Sequence, residues 1–155
     1  MTSRFTARIK ELMHKTSSPH QIALGFTLGL TSSMLPVPFV GMAAGLGLAA
    51  LTRSNLVSAY LGTAVMNPFT GPFIFFAELW LGLTIFDLPV PTYGMVRTYD
   101  GMQWLTLLRE LVAPFGTGIA IAMLASVMLG YPLAFGVAKL VLHRYRHLRS
   151  EAPNH

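Results

Sequence analysis

Cysteine is absent from the 155-residue chain, which excludes disulfides, thiolate nucleophiles and Cys-ligated metals. Charge is nearly as scarce. Asp, Glu, Lys and Arg make up 11% of the residues, against roughly 25% in soluble domains, too few to cover a water-facing surface of this size. Their placement sharpens the point, because none of the four occurs between His20 and Arg53 or between Arg53 and Glu78. No acidic pair, Ser–His–Asp order or glycine-rich phosphate loop appears in a plausible context either. No catalytic residue, cofactor or metal is therefore expected, and the chain does not read as an enzyme. A secretory leader is not expected either, since the first apolar run starts only near Gln21 and no small-residue cleavage site follows a short apolar core.

What is present is apolar. Hydrophobic residues make up 53% of the chain and the mean hydropathy is +0.55. The two charge-free runs are each cut by proline: Met34-Leu35-Pro36-Val37-Pro38 in the first, Met66-Asn67-Pro68-Phe69-Thr70-Gly71-Pro72 in the second. Broken backbone at membrane depth must be enclosed by protein or line a polar cavity. The expected fold is an all-α integral membrane protein: a small helical bundle with two proline-broken, re-entrant or kinked helical units and a long C-terminal helix.

Caps, breaks and charge divide the chain into five segments. Residues 1–17 form a basic amphipathic N-terminal helix, or a solvated arm that orients the first membrane segment. Residues 18–53, opened by the Ser18-Pro19 helix start, form a broken helical hairpin. Residues 54–86 are a broken membrane helix pair, residues 87–110 a loop and an interfacial helix anchored by Trp104, and residues 111–155 a C-terminal membrane helix with a kink near Gly130-Tyr131-Pro132 and a basic tail. The two breaks stand 32 positions apart, each preceded by Leu-Gly, which is either an internal repeat or coincidence.

The net +5 lies at the ends, with Arg4, Arg8, Lys10 and Lys15 at one and Lys139, Arg144, Arg146 and Arg149 at the other. Basic flanks are retained on the cytoplasmic side, so a multi-pass inner-membrane protein with both termini cytoplasmic is expected. Two net crossings fit, with the first run a re-entrant hairpin, and four short crossings compete. Arg144, Arg146 and Arg149 suit lipid headgroups, and nucleic acid is not an expected partner. The expected partners are the bilayer, further copies of the chain or other membrane proteins.

Gly25, Gly29, Gly41 and Gly45 keep the four-residue spacing that lets membrane helices approach closely. Pro36, Pro38, Pro68 and Pro72 mark the breaks. Around them Arg53, Asn55, Asn67, Thr70 and Glu78 are the candidates for a polar membrane site, since opened helices expose backbone groups that can hold ions or substrate. Asn67 and Thr70 can equally serve the Pro68 turn alone. Glu78, the one acid inside an apolar run, is a functional candidate by default, either paired with Arg53 or placed at the interface beside Trp80.

The succession Gly25-x-x-x-Gly29, Pro36-x-Pro38, Arg53-x-Asn55, Leu61-Gly62-Thr63 and Asn67-Pro68-x-Thr70 resembles the bacterial membrane family called domain of unknown function 2062, over roughly residues 18–86. The resemblance implies a small inner-membrane protein, and similar domains occur joined to glycosyltransferase-like domains. Where many members carry a glutamine after the first proline turn, this chain has Phe39, Val40, Gly41 and Met42. The expected role is non-enzymatic transport or lipid handling through a polar site between the broken helices. The alternatives are an accessory or structural subunit of a larger membrane complex, or a partner of glycan or polyprenyl-phosphate enzymes.

Overall fold

The computed structural model describes residues 17–37, 39–92, 94 and 97–150, with side chains as far as Arg144. The N-terminal segment 1–16, Pro38 and the side chains of Arg146 and Arg149 lie outside the described residues. Within them the chain is helical and contains no strand.

Helix α1 (Pro19–Ser33) starts at a capping box, in which Ser18 Oγ accepts the Gln21 N–H at 3.2 Å and Gln21 Oε1 accepts the Ser18 N–H at 3.0 Å. Proline in its first turn needs no donor there. After the first break α2 (Val40–Leu51) returns along α1, with Gly41 against the Ser32 backbone and Gly45 against Gly29. The two helices form an antiparallel hairpin. α2 stops in a Schellman turn: the Ser54 N–H reaches the Ala49 carbonyl at 2.9 Å, the Arg53 N–H reaches Ala50 at 3.1 Å, and Arg53 takes φ 54°. α3 (Leu56–Thr63) then runs parallel to α1, meeting it where Gly25 faces Asn55 and Ser58, Gly29 faces Ala59 and Gly62 faces Phe26.

Beyond the second break α4 (Gly71–Ile85) does not fold back on α3. It packs on α5 (Gly101–Ala125), where Gly82 meets the Pro114 carbonyl and Gly118 meets the Glu78 carbonyl, an antiparallel contact. A Schellman turn with Asp87 at φ 53° ends α4. α5 is capped by Asp100, whose carboxylate accepts the Gln103 N–H at 2.8 Å. It continues through a π-helical turn, Ser126–Gly130, into α6 (Tyr131–Ser150). The widened turn sits just before Pro132, whose ring and missing N–H disfavour a regular α-helical path.

The segment expected to be a separate interfacial helix before residue 110 is thus the start of one uninterrupted helix. Arg109 and Glu110 mimic a boundary in composition, yet the helix runs on past them and through Pro114. Gly101–Arg144 is the one described helix long and apolar enough to cross a membrane, while α2 and α4 are apolar but short. It acts as a spine, with α4 along its first half and α1 along the π turn and α6.

The interior is built from small residues and the exterior from large ones. Buried apolar positions are chiefly alanines (Ala23, Ala49, Ala59, Ala138), while Phe39, Leu51, Phe69 and Phe73 are each at least 78% exposed. Close-packed small residues within and bulky apolar side chains without are the pattern of helices that associate in lipid.

Candidate functional site

The two breaks come together. Leu35, Pro36 and Val37 from the first, and Met66, Asn67 and Pro68 from the second, line one half-open cavity of about 450 Å³, together with Gly71 and Pro72 at the start of α4. Antiparallel return of α2 and parallel packing of α3 put both helix ends at one level. Thr31 Oγ1 and Ser126 Oγ, 2.7 Å apart, tie that level to the π turn of the long helix.

The polar groups at the cavity are already committed. Asn67 Oδ1 accepts the Phe69 and Thr70 N–H groups at 2.9 and 3.1 Å, and its Nδ2 donates to the Ala64 carbonyl at 3.4 Å. Thr70 Oγ1 accepts the Asn67 N–H at 3.2 Å and donates to the Val65 carbonyl. Ser33 and Thr63 donate back into their own helices, to Leu30 and Tyr60, each at 2.7 Å. These side chains repair the backbone that proline opens. The cavity is left as a largely apolar space.

The five candidate polar residues do not form one site. Asn55 caps α3 at its far end: Oδ1 accepts the Ser58 N–H at 2.8 Å, Nδ2 donates to Ser17 at 2.8 Å, and the backbone N–H reaches Gln21 at 3.0 Å. Arg53, exposed, stands beside it at the end of α2. α3 separates this pair from Asn67 and Thr70 by eight residues, ~12 Å of helix. Glu78 lies elsewhere again, on the α5 face of α4 and buried to 2% exposure, and neither of its carboxylate oxygens has a hydrogen-bond partner. The expected pairing of Glu78 with Arg53 is therefore not made. α4 leads Glu78 away from the α1–α3 bundle, and Arg53 remains at the opposite end of it.

Two contacts had no sequence signal. Thr31 with Ser126, and His20 Nδ1 with the Tyr131 hydroxyl at 2.7 Å, join α1 to the long helix across 95 and 111 positions. Gln21 has a partial signal in Ser18-x-x-Gln21, a capping-box spacing. Its second task, donating to the Arg53 carbonyl at 3.4 Å, has none. Among the described residues no three His, Asp or Glu side chains gather as metal ligands.

A protein-family model described as "Uncharacterized protein conserved in bacteria (DUF2062)" matches residues 2–147. None of the curated proteins and none of the solved structures matches the chain.

Proposed function

The chain belongs to this uncharacterised bacterial family, and on that premise we propose that it is a multi-pass inner-membrane protein that takes up the hydrocarbon chain of a lipid between its two helix breaks. The observation that carries the reading is the apolar cavity shared by the breaks, with its polar side chains spent on the chain's own backbone. An ion or a polar solute needs free donors and acceptors to replace its water. An acyl or isoprenyl chain needs only apolar contact and space. The role is non-enzymatic handling of lipid.

Charge placement supports the depth of the site. Positions 111–138 are a run of 28 residues without Asp, Glu, Lys or Arg, ~42 Å of helix, against ~40–45 Å for a bilayer with its headgroup regions. The midpoint of the run is next to Ser126, which holds Thr31 and so the level of the breaks. In this placement α1 and α2 enter from the side of Arg53 and Lys139 and return to it. The α3–break–α4 unit crosses to Asp87, and the long helix crosses back. Both termini then share the positively charged, cytoplasmic side.

The test uses the absence of native cysteine. Purified from membranes in mild detergent, the protein is expected to retain lipid that organic extraction releases, and Met66→Trp, which fills the cavity, is expected to lose most of it while eluting as a folded protein. Single cysteines at Arg53 and Gly94 are expected to label from opposite sides of the membrane. Lipid retained equally by Met66→Trp would overturn the cavity assignment, and labelling of both cysteines from one side would overturn the topology.

A further inference from the structure

Glu78 stands apart among the buried polar residues described. Thr27, Ser58 and Ser126 each donate into a nearby backbone carbonyl. The two Glu78 oxygens are the only buried side-chain polar atoms among the described residues that have no partner. The cause is the packing of α4 on α5. Gly118 brings the two backbones so close that a side chain there would strike the Glu78 carbonyl, and Gly82 does the same at Pro114 one turn away. The acid is held in a seam from which basic groups are missing. The charged side chains of α5 are Arg109 and Glu110, both exposed and two turns or more from Gly118. α4 itself carries no other charge.

A lone carboxylate in such a seam is not sustained, because the desolvation of an unpaired charge has nothing to offset it. The group must therefore carry something positive. The seam supplies no second carboxylate and no free side-chain oxygen that would complete the shell of a metal ion, which takes six or more oxygens for calcium. A proton needs only one oxygen. We propose that the Glu78 carboxyl is a binding site for a single exchangeable proton, set in the wall between α4 and α5. Glu78 stands one turn beyond Phe75, which lines the cavity and makes an edge-to-face contact with Phe115 of α5. Loading and release of the proton consequently act one turn from a side chain that lines the cavity.

The experiment treats the full chain in liposomes with an apolar carbodiimide and reads adducts by peptide mass spectrometry. The reagent requires the acid form: the carboxyl O–H adds across a C=N bond, and the acyl group then shifts from oxygen to nitrogen, so no atom leaves. Glu78 is expected to carry the adduct at neutral pH in large excess over exposed Glu110, to lose it progressively as pH rises, and to keep it in the presence of sodium, potassium or calcium. Glu78→Gln removes it. As a second readout that needs no reagent access, the infrared C=O band of a protonated carboxyl is expected in the native protein and absent from Glu78→Gln. Protection by a metal cation at fixed pH, or absence of the infrared band in folded protein at neutral pH, would overturn the assignment.

Discussion

The α1–α3 bundle and the α4–α5 pair are assembled by the same device and differ in what they leave unfinished. In both, glycines let helix backbones touch, Gly25, Gly29 and Gly62 in the bundle and Gly82 and Gly118 in the pair. In the bundle Thr27, Ser33, Ser58 and Thr63 are tied to nearby backbone carbonyls, and its loops are closed by Ser17, Gln21 and Asn55. Polarity there is consumed by architecture. The pair buries one acid and gives it no partner. Sequence alone ranks Arg53, Asn55, Asn67, Thr70 and Glu78 together, whereas the folded chain separates four residues that maintain backbone from one that does not.

The sharpest way to break the comparison is to wedge each half. Leucine at Gly29 would meet the Ala59 backbone, which cannot move without parting α1 from α3. Gly29→Leu is expected to cost about 3 kcal/mol or more and to prevent recovery of folded protein in detergent. Gly118→Leu is expected to separate α4 from α5 alone. The check is thiol labelling at two buried positions: in the Gly118→Leu background a cysteine at Leu83 becomes reactive, and one at Ala59 stays protected. If both react, the halves are not independent.

Removing the acid should move stability the other way. An unpaired buried polar group costs about 1–3 kcal/mol, so Glu78→Leu is expected to raise the thermal midpoint, with Glu78→Gln in between. A midpoint lowered by Glu78→Leu would mean that the native carboxyl makes a favourable contact and that the contrast between the halves is false. In the bundle the sign reverses. Asn55→Ala removes a helix cap together with the tie to Ser17, and is expected to lower stability by about 1–2 kcal/mol.

Local features of the fold are legible in the sequence and distant ones are hidden, for a physical reason. Proline breaks, the Ser18 and Asn55 helix starts and the glycine spacing are written within a few residues, and helix ends can be placed from them to within a few positions. The meeting of Pro36 with Pro68 at one cavity depends on α2 folding back at the first break and on α3 running forward after the loop 52–55. That loop shows four polar residues and no glycine, so its tight reversal carries no composition signal. The burial of Glu78 depends on Gly118, forty positions later, in a helix whose own apolar face gives no hint of which acid it covers. The long helix does not read as a single element because Arg109 and Glu110 resemble an interfacial stop.

The smallest effect tests the least conspicuous part of the contrast, the role of Arg53. Its charge and its place at the joint between the two broken runs suggest an ion partner, but its backbone points elsewhere: it occupies the left-handed position of a Schellman turn, which glycine fills most readily. Asp87 does the same at the end of α4. If Arg53 serves chiefly as the residue that stops α2, Arg53→Gly relieves the left-handed strain and raises stability by at most about 1 kcal/mol, with cavity lipid retained. Asp87→Gly should behave alike. A gain at Asp87 with a loss at Arg53 would show that the arginine side chain contributes beyond the turn. Equal gains at both would leave Glu78 as the one of the five candidate residues whose position architecture does not account for.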